Sequence, residues 1–331
     1  MVTLKDIAQH VGISVSAASM ALRDHASIGE ETKRKVREAG EALGYRVRSK
    51  PSGNIAFVLF DRGFDSPVYA RFFQSIGDMA ARQEMQPLYL SLDSATFADA
   101  KLPPALRKRN VDGIIVSGVY GEAAHRRLSA LEIPLVALGN YQLGSAAWAA
   151  CEVDLAGGIR LMLDSLAKLG HRRIGLLVST SDRREYGRQI RQIFSNALAD
   201  RDQVCSGIVY DEDLTPGPGK KSLAGALDSL VRGPQAATAL LVEKAHPRIY
   251  DACEELGLRI PDDISLISLG KSSFEMRPSL ATVESDPTEM GRGAFEKLHR
   301  MMENPDERLT REIFPMQLIP GKSMGPVPGR G

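Results

Sequence analysis

A short stretch near the amino terminus, ISVSAASMAL, combines hydroxyl side chains with one thioether. Serine hydroxyls can hydrogen-bond to phosphate oxygens and to base edges, whereas valine and methionine make only apolar contacts, for instance with thymine methyl groups. We therefore expect Val15, Ser16 and Met20 to face the bases of duplex DNA. Ser14 and Ser19 are candidates for contacts with phosphates.

Small residues at fixed spacing would place this stretch on the second of three short helices. Ala8 permits a close crossing of the first two helices, and Gly12 permits the tight turn between them. Ser14 can cap the second helix, and a third helix ends at Gly44. The spacing predicts a helix-turn-helix whose second helix enters the major groove. A generic three-helix packing unit is the alternative.

The charge distribution favours the same interpretation. Residues 1–50 contain nine Lys or Arg and six Asp or Glu, a net charge of +3. The remaining residues contain 33 and 35, a net charge of −2. A basic end on a slightly acidic body is typical of a nucleic-acid-binding module. The basic candidates for phosphate contacts are Lys5, Arg23, Lys33, Arg34, Arg46 and Arg48.

A polar stretch, RVRSKPSGN, follows the third helix and has no apolar periodicity. We place a helix-turn-helix headpiece at 1–46 and a short basic linker at 47–54. An effector domain would occupy 55–320. The tail, 321–331, is rich in glycine and proline, and we expect it to be disordered.

From Ile55 onward, short apolar runs alternate with segments of helical periodicity. This alternation predicts an α/β domain with parallel sheets and helices on both faces, next to a small all-α headpiece. Two rounds of alternation predict two lobes. The first would comprise about 55–153 and 286–304, and the second about 154–285. A strand near 312–318 would return to the first lobe.

Seven segments carry a resemblance to a known family. They are TLKDIAQHVGISVSAASMALRD (3–24), EALGY (41–45), VDGIIVSG (111–118), IPLVALG (133–139), EVDLAGGIRLMLDSLAKLGHRRIGLL (152–177), LGLRIPDDISLISLG (256–270) and PSLATVESDPTEMGRGAF (278–295). In this order they resemble the lac-repressor family of bacterial transcription factors. The resemblance implies a periplasmic-binding-protein-like effector domain and a homodimer, or a tetramer, on a pseudo-palindromic operator. It also implies a repressor whose DNA affinity is changed by a small molecule in the interlobe cleft.

The linker departs from the family pattern. The family usually has a hinge helix there, which inserts leucines into the minor groove. Here the linker is several residues shorter and contains no leucine. We expect Arg46 and Arg48 to follow phosphates or the minor groove as a flexible arm. Coupling between effector and operator would then be weaker than the family norm.

The resemblance also implies an effector site. Arg184 matches a ligand-binding arginine of the family, and Glu243 stands where the family usually has aspartate. The segment SLGKSS has Lys271 in place of the usual carboxylate, which favours a sugar derivative with negative charge. Further candidates follow the carboxyl ends of the strands: Phe60, Arg62, Tyr69, Asn140 and Tyr141. An effector domain that only dimerises is the alternative.

Other classes of function find less support. Three cysteines lie far apart without metal-ligand spacing, and neither a catalytic set nor a cofactor motif is present. PGPGKKS lacks the spacing of a phosphate-binding loop. The first ten residues include Asp6 and other polar residues and contain no apolar signal core. The sequence also has no run of about 20 apolar residues, so we expect a cytoplasmic protein without membrane contact. A solute-binding protein or a sugar-metabolising enzyme is less favoured.

Overall fold

The computed structural model describes most of the chain. The described residues are 4–22, 25, 27–43, 51–64, 66–97, 101–108, 110–118, 120–139, 148–178, 184–199, 201–210, 223–243, 246–270, 274–304 and 310–327. Within them, the helices all lack the combination of length and apolar character that crossing a membrane requires.

Three helices form the headpiece: α1 (Leu4–Val11), α2 (Val15–Leu22) and α3 (Glu30–Leu43). Apolar residues at helical spacing put one side chain from each helix into a small shared core. Ile7, Ala21 and Val36 are completely buried there, and Ala39 is nearly so. The predicted helix-turn-helix arrangement is confirmed.

Two six-stranded sheets follow. The first, sheet A, has the order β11-β5-β4-β3-β1-β2. Its strands are β1 (Asn54–Phe60), β2 (Gln86–Leu92), β3 (Gly113–Gly118), β4 (Leu135–Leu138), β5 (Ala149–Val153) and β11 (Arg311–Phe314). Strand β5 was not predicted, because AACEV contains only one β-branched residue.

The second sheet, sheet B, has the order β12-β10-β9-β8-β6-β7. Its strands are β6 (Arg173–Val178), β7 (Val204–Tyr210), β8 (Ala239–Val242), β9 (Ser265–Leu269), β10 (Ala281–Glu284) and β12 (Gln317–Ile319). Every pair is parallel except β10 with β12. The predicted α/β class with mainly parallel sheets is confirmed.

Helices cover both faces of sheet B. They are α8 (Leu155–Lys168), α9 (Arg184–Ala199), α10 (Leu223–Arg232) and α11 (Pro247–Glu255). Successive strand residues point to opposite faces. Leu176 therefore packs with α8 and α9, whereas Leu177 packs with α10 and α11.

Sheet A is associated with α4 (Pro67–Arg82), α7 (Glu122–Ser129) and α12 (Pro287–Glu303), and with the short helix α5 (Ser94–Phe97). A second short helix, α6 (Pro104–Arg107), precedes β3 in the chain. Helix α12 packs against α4 and across β3, β4 and β5. A side chain at Gly113 would meet Leu298 of α12 at 2.8 Å, so glycine permits this close approach.

The chain passes between the two sheets three times. It goes from β5 to α8, from β10 to α12, and from β11 to β12. The single strand expected near 312–318 is therefore two strands, one in each sheet. Pro315 separates them because it has no N–H for a strand ladder. At this crossing the Asp154 N–H donates to the Phe314 carbonyl oxygen at 2.8 Å.

The segment that enters β1 is tied to the loop before β3. The backbone N–H groups of Ser52 and Gly53 donate to the Asp112 carboxylate at 2.9 and 2.8 Å. The end of the linker is therefore fixed to the loop before β3. Arg46 and Arg48 lie outside the described residues.

The prediction of a disordered tail is wrong for residues 321–327. This segment crosses the amino-terminal ends of the sheet B strands. Ser323 is fully buried, donates to the Leu266 carbonyl at 2.7 Å and accepts from the Ala281 N–H at 2.9 Å. Composition suggested disorder, but specific hydrogen bonds to the sheet order the segment.

Candidate functional site

The turn between α1 and α2 is built on Gly12, which has φ +74° and space around its Cα. After it, the Ile13 N–H donates back to the Ala8 carbonyl at 2.9 Å. Ser14 then caps α2, since its Oγ accepts the Ala17 N–H at 3.1 Å. Cap and turn together fix the direction in which α2 leaves the first helix.

Helix α2 has one buried face and one open face. Ala18 and Ala21 are fully buried, whereas Val15 is 45% exposed and Ser16 is exposed. The Ser16 hydroxyl lies 3.0 Å from Ser14 Oγ, so the two hydroxyls share a hydrogen bond. The amino-terminal half of α2 therefore presents an apolar surface with two linked hydroxyl groups.

The other two predicted contacts on α2 are less open. Ser19 and Met20 are both half-buried. The Met20 Sδ lies 4.0 Å from Ser27 Oγ in the turn before α3. Met20 thus lies where α2 meets that turn, and it is less exposed than Val15 and Ser16, with which the sequence predicted it to face the bases.

Two of the predicted cations are exposed. Lys5 is on α1, and Arg34 on α3 forms an exposed ion pair with Glu38 at 3.4 Å. Such a pair contributes little and can open to a phosphate. Arg23 lies outside the described residues.

The structure corrects the prediction that Lys33 contacts phosphates. Its side chain is only 7% exposed and its Nζ lies 2.7 Å from Glu30 Oε1. The position is one helical turn before the buried Val36, so Lys33 lies on the edge of the packed face. The spacing of Glu30 and Lys33 was the sequence signal for this pair. The Lys33 ammonium group is therefore not positioned for a phosphate contact.

The structure also corrects the prediction that Phe60, at the end of β1, contacts an effector. Phe60 is fully buried, with its ring centroid 5.0 Å from that of Phe97 and 5.2 Å from that of Tyr120. The Arg127 guanidinium lies 4.9 Å from the Phe97 centroid. The short helix α5, which was not predicted, supplies Phe97 and covers the end of the strand.

The remaining first-lobe candidates have limited access. Arg62 is half-buried and its Nη1 donates to the Asp61 carbonyl at 2.6 Å. Tyr69 is 9% exposed and packs edge-on against Phe72. Asn140 and Tyr141 lie outside the described residues.

On sheet B, Glu243 follows β8 directly and is 5% exposed. Its N–H donates to the Leu177 carbonyl at 2.9 Å, which holds it beside the end of β6. Arg184 is the first residue of α9, and its side chain, like all of Lys271, falls outside what the structure describes. Glu243 and the start of α9 therefore follow neighbouring strands at one edge of the sheet.

Two residues at the same edge were missed. His246 caps α11, and its Nδ1 accepts the Arg248 N–H at 3.2 Å. Phe274, in the connection after β9, is 50% exposed and packs edge-on against His246 at 5.0 Å. Their position after β8 and β9 was the available signal.

A stack of rings next to Phe60 buries His125. Its imidazole lies 3.3 Å from the Trp148 ring centroid and 6.1 Å from that of Tyr120. Burial lowers the pKa of His125 to about 4. Burial also lowers the pKa of His171, and the Gly325 carbonyl partly opposes this. Both histidines are therefore neutral in the folded protein near pH 7.

We expect the effector domain to lose stability as the pH falls below about 6.5, the ordinary histidine pKa. The unfolded chain then binds protons that the folded chain excludes, at up to about 1.4 kcal/mol per pH unit for each histidine. Urea unfolding between pH 7 and 5 measures the slope. His125→Phe keeps a stacked ring without a titrating nitrogen and should reduce the slope. An unchanged slope in this variant would contradict the role of His125.

Within the described ranges, groups of three or more His, Cys, Asp or Glu that could hold a metal ion are absent. The described candidate residues lie on two surfaces, the exposed face of α2 and the polar and aromatic edge of sheet B.

Two family models match the chain. The model for bacterial regulatory proteins of the lacI family matches residues 3–47. The model for the periplasmic binding protein-like domain matches residues 163–324.

Full-length relatives and solved structures are also similar. The HTH-type transcriptional regulator reg1 of Streptomyces lividans is 24% identical over 342 residues, which cover 98% of this chain and 97% of reg1. A transcriptional regulator CelR–cellobiose complex is 18% identical with a TM-score of 0.68, covering 98% of this chain and 100% of CelR. A lac repressor dimer bound to operator and an anti-inducer is 17% identical with a TM-score of 0.66, covering 98% and 99%. At these identities, the two structures establish the fold.

Proposed function

Because the chain belongs to the lacI family of bacterial regulatory proteins, we propose that it is a transcriptional repressor that binds a pseudo-palindromic operator as a dimer. The observation that carries this proposal is the capped helix α2, which exposes Val15 and Ser16 at its amino-terminal half. Two such helices in a two-fold dimer would enter successive major grooves. The lac repressor dimer that shares this fold was solved on its operator.

The effector is a sugar or a sugar derivative, bound at the carboxyl edge of sheet B. Glu243 offers a carboxylate to sugar hydroxyls, and Arg184 and Lys271 would favour negative charge on the ligand. The related CelR was solved with cellobiose. The three passages between the sheets would let the lobes close on the ligand. Closure would shift the population of the state that binds DNA.

A regulator without an effector is the second candidate. It is favoured by the burial of Phe60 and Tyr69 in the first lobe and of Glu243 on sheet B, which limits access to three of the expected ligand contacts. A thermal-shift screen with sugars, sugar phosphates and sugar acids separates the two candidates. A saturable rise in the melting temperature supports an effector, and its absence across the panel supports the second candidate.

The reading role of α2 is tested with Ser16→Ala combined with Met20→Ala. We expect operator affinity to fall by about tenfold or more, since the variant removes a hydroxyl and an apolar base contact. Affinity for random DNA should change little, because phosphate contacts dominate it and fall steeply with salt. Retention of operator and random duplexes measures both. An unchanged preference for the operator would refute the assignment.

A further inference from the structure

His25 lies in the turn that follows α2, next to the surface assigned to DNA reading. Its backbone N–H donates to the Met20 carbonyl oxygen at 3.0 Å, so the residue is held against the end of the helix. Its side chain is exposed, as is Ser27 two residues later. The exposed surface of the turn therefore adjoins the half-buried side chain of Met20.

Ser27 fixes the orientation of the imidazole. The Ser27 backbone N–H donates to His25 Nδ1 at 3.2 Å, and Ser27 Oγ lies 2.8 Å from the same nitrogen. Because Nδ1 accepts the backbone hydrogen bond, the proton of the neutral ring is on Nε2. Ser27 Oγ also lies 4.0 Å from Met20 Sδ. Ser27 thus fixes the imidazole and contacts the thioether.

We infer that His25 is a further DNA-contacting residue, whose Nε2–H donates a hydrogen bond to a backbone phosphate beside the groove that α2 enters. The amino-terminal half of a recognition helix is in the groove, so the turn beyond its carboxyl end lies nearer the sugar–phosphate rim. Uncharged side chains commonly donate to phosphate oxygens and fix the register of the protein on DNA. Ser27 is the positioning residue for this contact. The inference rests on the proposed DNA-binding function.

The test uses the full-length protein with a selected operator duplex and a scrambled duplex of the same length. His25→Ala should weaken retention of both by about tenfold or more, as expected for one lost hydrogen bond to a charged group. Ser27→Ala keeps the backbone donor and should cost about twofold to threefold.

Two further variants make the test specific. His25→Gln places an amide N–H near the position of Nε2 and should restore retention to within about twofold of the wild type. His10→Ala removes another exposed headpiece histidine, at the end of α1, and should leave retention unchanged. Urea unfolding of each variant checks that the headpiece remains folded.

Wild-type affinity with His25→Ala would overturn the inference, as would an equal loss in His10→Ala or failure of His25→Gln to restore retention. A loss confined to the operator would place the contact on a base edge and overturn the phosphate assignment. If wild-type protein retains DNA and His25→Ala does too, only this inference fails. If wild-type protein retains neither duplex, the proposed function fails with it.

Discussion

Ile7→Ala is expected to reduce operator affinity by about tenfold. Ile7 is fully buried in a headpiece core that it shares with Ala21, Val36 and Ala39. Replacing a buried isoleucine with alanine typically costs about 2–5 kcal/mol. A core of this size supplies about 3–5 kcal/mol in total, so most molecules would have an unfolded headpiece. Retention of the operator duplex measures the loss.

The effector domain provides an internal reference for this variant. The cores on the two faces of sheet B share no residue with the headpiece core, so the urea unfolding midpoint of the effector domain should be that of the wild type. Gln9→Ala, at an exposed position on the same helix, is the matched control and should change affinity by less than about twofold. Operator binding by Ile7→Ala at wild-type affinity would contradict the described headpiece core.

His171→Ala is expected to destabilise the effector domain by about 3 kcal/mol. His171 is fully buried; its Nδ1 lies 2.9 Å from Thr238 Oγ1 and its Nε2 lies 3.0 Å from the Gly325 carbonyl oxygen. A carbonyl only accepts, so Nε2 carries the proton and Thr238 donates to Nδ1. The variant leaves both partners buried and opens a cavity. The urea unfolding midpoint measures the loss.

The same variant should release the carboxyl-terminal segment. Gly325 also contacts Ser265, and hydrogen exchange at residues 323–327 should become faster once the histidine bond is lost. His299→Ala is the control, because His299 is partly exposed, stacks on Phe295 at 5.8 Å between ring centroids and lies 3.5 Å from Glu303, and its loss should cost about 1 kcal/mol. Equal stability losses in the two variants would refute the role of His171.

The periodicity of apolar residues, together with the residues that end helices and form turns, made most of the fold predictable. The alternation of apolar runs and helical segments predicted the α/β class, and Gly12 with Ser14 predicted the turn and cap of the headpiece. The strand β5 and the helix α5 were not predictable, because AACEV and SATF are short and lack a clear period. The order of residues 321–327 depends on partners distant in sequence, such as His171 and Ser265.

The sequence predicted where the site residues lie in the fold better than it predicted how exposed their side chains are. Strand ends identified Glu243 correctly as a residue at the edge of sheet B, and spacing identified Ser14 as a cap. The exposure of Phe60 was predicted wrongly because Phe97 of α5, which covers it, is 37 residues later in the chain. Lys33 was misplaced because its neighbour Glu30 competes for the ammonium group.

The most direct test of the central claim is selection of duplexes from a random pool by the full-length protein, followed by sequencing. The proposed function predicts enrichment of two inverted half-sites whose centres are about one helical turn apart, or a multiple of it. Binding to the enriched duplex should exceed binding to random DNA by about a thousandfold or more. A pool that remains random after repeated rounds, with equal retention of all duplexes, would contradict the account.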